Sequence, residues 1–332
     1  MPFLAVLVVG TVFVIRQQHN QPYQHEEGMV FGTFYKVAYQ HEHSLKYEIE
    51  SALAGVDSEF SMFNDTSTVT RINRGEQPVL SNEFCRVLLL SQKVSADTDG
   101  AFDITVAPLV NAWGFGFKSQ QFPTRQQVDS LRLLIGWQKL RLDTVGHRLS
   151  KADQRMMIDF SAIAKGYGAD VVARVLSQAG VENFMIEIGG EMVTRGISPK
   201  RLPWRVGVTK PVDDSLSVGH ELQTVLNVTD CAIATSGNYR NYYYRNGRKY
   251  AHTIDPKTGY PVQHSVLSAT VIADNCATAD AYATSVMVMG LEGAQALLGR
   301  HPELKAYLIY ANDDGTNAVW FSPSLKDKVD ER

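Results

Sequence analysis

What this sequence has little of already narrows its class. Three cysteines, Cys85, Cys231 and Cys276, are scattered through 332 residues. They are too few and too far apart for a disulfide framework or a structural zinc site. Neither sign of charge prevails: 32 Lys and Arg stand against 35 Asp and Glu, a formal net charge of −3. A general nucleic-acid binder usually carries a basic excess, which is missing here. The body of the chain has no low-complexity run and no internal repeat. An uncharged apolar stretch does open the sequence, PFLAVLVVGTVFVI over residues 2–15, but it falls short of the roughly 20 residues of a membrane-spanning helix. Its length is that of a secretory h-region. No Lys or Arg precedes it, no small-x-small cleavage site follows, and no cysteine sits just beyond it for lipid attachment. It is read as a signal or membrane anchor, with a buried helix or strand as the alternative, and the polar residues 16–28 as a tether. This leaves one large domain over residues 29–325.

What is there is a globular chain, 44% apolar and 20% charged, enough to build its own core. Residues 29–39 (MVFGTFYKVAY) are rich in β-branched and aromatic side chains and predict a strand. Leu45, Ile49, Leu53, Val56 and Phe60 recur at helical spacing. Ser81 opens a second helix to about residue 96. Thr124 with Gln127 makes a capping-box signature for a third, to about residue 135. Short strands are expected over 138–158, then a helix capped by Ser161 and ending near residue 179. Beyond residue 182 come short β-runs, helices over 278–289 and 292–298, and a late strand, AYLIY. Helices and mostly antiparallel strands interleave without a βαβ rhythm, so the fold class is α+β.

Four constellations carry candidate chemistry. Asp280 and Thr284 lie four apart on an expected helix and share a face; both offer the hard oxygen ligands that Mg²⁺ takes, although a solvated face would look the same. Asp159-Phe-Ser-Ala-Ile-Ala-Lys165-Gly-Tyr-Gly168 sets an acid and a lysine at a helix start, where free N–H groups can meet a phosphate. Gly166 and Gly168 each cost about 1 kcal/mol in a helix, which suggests close approach by a ligand or, more simply, by another helix. Asp99-Gly100 marks a turn, and Asp103 leads a strand-like stretch to Trp113, an edge that suits a planar heterocycle or only a turn beside a buried Trp. Asp255-Pro-Lys-Thr-Gly259 is a turn by composition, with His252 just before it and able to titrate near neutral pH; a lone His is more often structural. Gly189-Gly190-Glu191 reads as another turn between strands, where backbone could approach a ligand. The run YRNYYYRNGRKY (239–250) reads as an exposed hairpin with snorkelling Arg and Lys rather than a base-stacking surface.

Taken in order, the blocks FGTFY, FSMFN, TDGAFDITVAPLVNAWGFG, IDFSAIAKGYGAD, IEIGGEM, PWRVGV, IATSGNYRNYY, AHTIDPKTGYPV and SATVIADNCATADAYATSVMVMG resemble the ApbE family of FAD:protein FMN transferases, over about residues 30–310. The resemblance implies a single α+β domain that binds FAD and Mg²⁺. It implies transfer of the FMN half of FAD to a Thr or Ser hydroxyl of a partner flavoprotein, such as a membrane-associated respiratory electron-transfer subunit, with release of AMP. Some members instead hydrolyse FAD to FMN and AMP; a non-catalytic flavin carrier of the cell envelope is a further alternative. By the same resemblance the metal ligands are Asp280, Thr284 and the main-chain carbonyl of Ala162. The FAD contacts are Phe31, Phe63, Ala101, Phe102, Asp103, Asp159, Lys165 and Ile254. His252 is the residue nearest the chemistry, as general base, with Lys165 adding electrostatic stabilisation. The implied location is the extracytoplasmic face of the inner membrane.

Overall fold

The computed structural model describes residues 21–116, 122–211, 221–239, 242–245 and 248–330; the apolar run at 2–15 lies outside them. The chain opens with β1 (Tyr23–Val30) and β2 (Thr33–Gln40), then α1 (Lys46–Phe60), α2 (Thr68–Asn73), α3 (Asn82–Asp97), α4 (Ala107–Ala112) and α5 (Arg125–Arg132). The hairpin β3 (Leu140–Asp143) and β4 (Arg148–Lys151) leads to α6 (Ala164–Gln178). Next come β5 (Phe184–Ile188), β6 (Glu191–Arg195), β7 (Trp204–Thr209), β8 (Leu222–Val228), β9 (Cys231–Gly237), β10 (Tyr242–Arg245) and β11 (Arg248–Ala251). The chain closes with β12 (Val266–Ala273), α7 (Cys276–Arg300), β13 (Lys305–Ala311) and β14 (Asn317–Phe321).

One sheet of eight strands, ordered β1-β2-β5-β6-β9-β12-β13-β14, organises the molecule, and every neighbouring pair in it is antiparallel. Its central strands are buried on both faces. In β9, Ala232 and Ala234 pack under the helices while Ile233 joins the opposite cluster with Val206, Val208, Leu226 and Val228 of β7 and β8. β13 repeats this, with Leu308 on the helix side and Ile309 on the other. The period of two therefore sends alternate residues into two cores, and small Ala side chains let α7 lie close on β9 and β12. The architecture is a single α+β domain, as expected.

Local signals account for several helix starts. In α1, Ile49, Leu53, Val56 and Phe60 form the buried face. Ser81 caps α3 by accepting from Phe84 N, and Thr124 with Gln127 forms the capping box of α5.

Five expectations change. The single strand over 29–39 is two strands, because Phe31 (φ 51°) and Gly32 (φ 73°) form a two-residue turn with both φ positive. Residues 23–28, read as tether, are paired to 35–40 in that hairpin, so the domain begins before residue 29. It also runs past 325, since Asp330 N donates to Val225 O. The strand-like stretch after Asp103 contains a helix, with Pro108 in its first turn where a missing N–H costs nothing. Ser161 is not a cap: its N–H donates to Asp159 Oδ1 at 2.8 Å, and α6 starts three residues later behind Ile163.

The helices read at 278–289 and 292–298 are the two halves of α7, kinked at Gly290 (φ 73°). His264 services the kink. Its Nε2 faces Met287 O at 2.7 Å, and Val266 N donates to its Nδ1 at 3.2 Å. Only the neutral ring with the proton on Nε2 satisfies both, and burial lowers its pKa. A His with a depressed folded pKa contributes stability that is full above the unfolded value of about 6.5 and is lost as pH falls through the folded value. His264→Ala is thus expected to cost about 1–3 kcal/mol at pH 7.5 by leaving a buried carbonyl unpaired. The difference from wild type should shrink toward pH 5, as read from urea midpoints at both pH values.

Candidate active site

The N-terminal turn of α6 lies against the first turns of α7, and Gly166 of the first explains how. A Cβ on Gly166 would fall 2.3 Å from Cys276 O and 2.9 Å from Asp280 Cβ; one on Gly168 would fall 2.8 Å from the Phe31 ring. Gly166 thus serves close helix approach, and Gly168 makes room for the Phe31 ring of the β1–β2 turn. The contact is cemented by Asp170 of α6, whose two carboxylate oxygens accept from Cys276 N and Ala277 N at 2.7 and 2.8 Å. They satisfy two of the free N–H groups at the start of α7. Burial pushes the Asp170 carboxyl up to about 6, with those two N–H bonds opposing.

This contact brings together residues more than a hundred positions apart. Asp280, only 2% exposed, accepts from Gly166 N at 3.1 Å through Oδ2, and Lys165 Nζ stands 3.6 Å from the same oxygen. Lys165 Nζ also meets Glu191 Oε1 at 3.2 Å, at the start of β6. Burial works against the ammonium, but Asp280 and Glu191 outweigh it and hold its pKa above the usual lysine range. Burial drives the Glu191 carboxyl upward against the pull of Lys165, and its buried Oε2 has no hydrogen-bond partner among the described residues. Two buried acidic side chains thus share one ammonium. A buried carboxylate is unfavourable unless paired or bound to a cation.

The Ala162 carbonyl fits the same purpose. A helix continued by one turn would give Gly166 N to Ala162 O; here Asp280 takes that N–H. Among the described residues no backbone N–H donates to Ala162 O. Thr284 lies one turn beyond Asp280 on α7, its Oγ1 3.4 Å from Ser236 Oγ of β9. Carboxylate, hydroxyl and main-chain carbonyl are oxygen ligands of the class that Mg²⁺ takes. Among the described residues no three His, Cys, Asp or Glu side chains converge as a metal cluster.

The other expected contacts lie on loops and turns outside α6 and α7. Asp159 N donates to Ile104 O at 2.7 Å, tying the approach to α6 to the Ala101–Asp103 loop. Ala101, Phe102 and Asp103 are buried. The Asp99-Gly100 turn before them is confirmed by left-handed φ values of 51° and 78°. Asp103 accepts from Thr105 N and Oγ1 and from Trp137 N, while burial raises its pKa. Beside it opens a cavity of about 480 Å³ bordered by Gly100, Trp137 and Lys257. The expected Asp255–Gly259 turn is present, with Gly259 N on Asp255 O at 2.8 Å and Gly259 O accepting from Trp113 Nε1. Ile254 is buried beside Trp113 in an aromatic-rich cluster, and His252, just before it, meets the Phe115 ring edge-on at 6.4 Å. Phe31 packs over Gly168 in the hairpin turn. Phe63 stands 79% exposed on the loop after α1, a surface side chain.

Sequence reasoning missed the charge role of Glu191, treated only as part of a turn, and the capping role of Asp170. The burial pattern of β6 is irregular, so no alternation marked Glu191.

Gly166→Ala is expected to force α6 and α7 apart. Overpacking of this kind costs about 1–3 kcal/mol. Thermal unfolding should show that loss together with weaker FAD binding; an unchanged Tm and FAD affinity would mean that the helix contact is not needed.

The sequence matches the ApbE family over residues 31–308. It is 35% identical over 343 residues to the FAD:protein FMN transferase of Escherichia coli K12, covering 97% of this chain and 96% of that protein. It is 37% identical over 302 residues to that of Vibrio cholerae serotype O1, covering 88% of each. Among solved structures, the flavin transferase ApbE of Vibrio cholerae superposes with a TM-score of 0.83 at 35% identity, over 93% of this chain and 99% of that one. The apo flavinyl transferase ApbE of Pseudomonas stutzeri gives 0.82 at 31% identity, over 93% of this chain and 97% of that one.

Proposed function

The chain belongs to the ApbE family, and from that membership we propose that it moves FMN from FAD to a Thr or Ser hydroxyl of a partner flavoprotein in a Mg²⁺-dependent reaction. It is a flavin transferase. The observation that carries the site assignment is the meeting of Asp280 with the α6 N-terminus, where Asp280 takes the Gly166 N–H and no backbone N–H among the described residues donates to the Ala162 carbonyl.

In balance, the acceptor oxygen bonds to the flavin-side phosphorus of FAD, the bridging P–O bond breaks, AMP leaves, and the acceptor's proton goes to a base. Asp280, Thr284 and the Ala162 carbonyl would hold Mg²⁺, which when bound offsets negative charge on the diphosphate. Lys165 presents a fixed ammonium toward the same region; it is kept protonated by Asp280 and Glu191 and adds positive charge where the leaving phosphate gains negative charge. An imidazole nitrogen of His252 accepts the hydroxyl proton. The Ala101–Asp103 loop with Asp159, and Phe31, Phe63 and Ile254, position FAD. The cavity beside Asp103 has the volume of a small-molecule site. Orientation of the acceptor hydroxyl in line with the scissile bond supplies the rest.

The acceptor class we favour is a membrane-associated respiratory electron-transfer subunit, met at the extracytoplasmic face of the inner membrane. The apolar run at 2–15 supports that location as a signal or anchor. Among the described residues no helix is long and apolar enough to cross a membrane.

The test mixes the protein, FAD, Mg²⁺ and a candidate flavoprotein. Flavin fluorescence in the denatured acceptor band supports transfer. FMN and AMP without a fluorescent band identify a pyrophosphatase, and intact bound FAD identifies a carrier.

A further inference from the structure

The last residue of α3, Asp97, uses both carboxylate oxygens on α7 and the residue just after it. Tyr282 Oη donates to its Oδ2 at 2.7 Å, and its Oδ1 lies 3.0 Å from His301 Nε2. The other ring nitrogen of His301 faces Glu303 Oε1 at 2.8 Å. With a carboxylate on each side the ring is a double donor.

The two anchor points straddle the kink in α7. Tyr282 lies between Asp280 and Thr284, before Gly290, and is 5% exposed; His301 follows Arg300, after it. A helix broken at Gly290 is not a single rod, so a group that grips both sides fixes their relative orientation. On its own side Asp97 is four residues from Ala101, and the link is stiff. Thr98 Oγ1 donates to Val94 O and accepts from Phe102 N, while Gly100 N donates to Ser95 O at 2.7 Å. A shift at the end of α3 is therefore passed to the Ala101–Asp103 loop.

We infer that Asp97 is a positioning residue: through Tyr282 it locks the turn of α7 that bears Asp280 and Thr284 against the loop bearing Ala101, Phe102 and Asp103. Cation binding and FAD binding are thereby coupled. The inference rests on the reading of the site given above; Asp97 itself sits behind both half-sites and acts through its neighbours. Coupling of this kind is a linkage between two sites and is measurable without turnover.

FAD affinity is read by fluorescence on rapid mixing, before any chemistry, with and without Mg²⁺. The full-length wild-type protein is compared with Tyr282→Phe, which keeps the ring and removes the donor. Asp97→Asn serves as the second variant should the first fold poorly. In wild type Mg²⁺ is expected to tighten FAD. In the variants the Mg²⁺-free affinity should stay within about twofold, while the tightening by Mg²⁺ falls by about 5–10-fold, within the range of ordinary site-to-site coupling. An undiminished Mg²⁺ effect in both variants overturns the inference. So does equal weakening of FAD with and without Mg²⁺, which would make Asp97 a structural brace only. Absence of any Mg²⁺ effect in wild type overturns the underlying site reading instead, and the inference with it.

Discussion

Asp280→Ala should abolish Mg²⁺-dependent turnover of FAD, a loss on the order of 10³-fold or more in kcat given what removal of one charge-stabilising group costs in a preorganised site. The expectation follows from position. Asp280 is buried, shares a helix face with Thr284, and holds the N–H of Gly166. Its removal takes away the carboxylate of the proposed oxygen donor set and leaves Glu191 as the one remaining ion-pair partner of Lys165 among the described residues. It also orphans a buried N–H, so stability will fall as well, by about 1–3 kcal/mol. Asp280→Asn separates the two effects. The amide keeps the volume and an oxygen that can accept from Gly166 N, but carries no charge. If the cation reading is right, the Asn variant keeps most of the lost stability and little of the activity, with a Mg²⁺ requirement shifted to higher concentration. Full turnover of either variant at the wild-type Mg²⁺ concentration would remove the metal assignment.

His252→Ala is expected to leave FAD affinity within about twofold and to slow single-turnover transfer by about 10²–10⁴-fold, the range of general acid–base contributions. The ring is half-buried at the foot of the β10–β11 hairpin, edge-on to Phe115. The neighbouring Thr253 and Ile254 are buried, with Thr253 Oγ1 on Asn238 Oδ1 at 2.7 Å. The backbone that presents the imidazole is therefore held without it, and loss of the side chain should act on the proton transfer rather than on the fold. A single-turnover rate equal to wild type, with the acceptor saturating, would sink the role of His252 as base.

The chain made its local features readable and kept its long-range ones hidden. Ser81, Thr124 and Gln127 could be named as caps because a cap and its target are three residues apart. The face of α1 and the shared face of Asp280 and Thr284 follow from the same short periodicity. Asp99-Gly100 and Asp255–Gly259 are turns by composition alone. Errors arose where composition misleads. Residues 23–28 contain two Glu and a Gln and look like a tether, yet β1 is an edge strand, where charge is tolerated and even protective. Phe31-Gly32 is a tight turn without the usual Asn-Gly signal. The run VAPLV is short and apolar, and such runs do not distinguish strand from buried helix. At the site, no spacing rule joins residue 162 to residue 280; only the family resemblance set them in one place. Glu191 beside Lys165, Asp170 capping α7 and Asp97 gripping Tyr282 are partnerships across 26, 106 and 185 positions. They arise from the packing of α6 and α7 on the sheet and leave no mark in either local pattern.

The most direct test of the central claim is anomalous scattering from Mn²⁺ in crystals soaked with the ion, since Mn²⁺ takes the same oxygen ligands as Mg²⁺. The account requires a peak within bonding distance of the Asp280 carboxylate, the Thr284 hydroxyl and the Ala162 carbonyl, lost in Asp280→Ala crystals. A peak confined to other residues, or one at this place that survives the substitution, would contradict it.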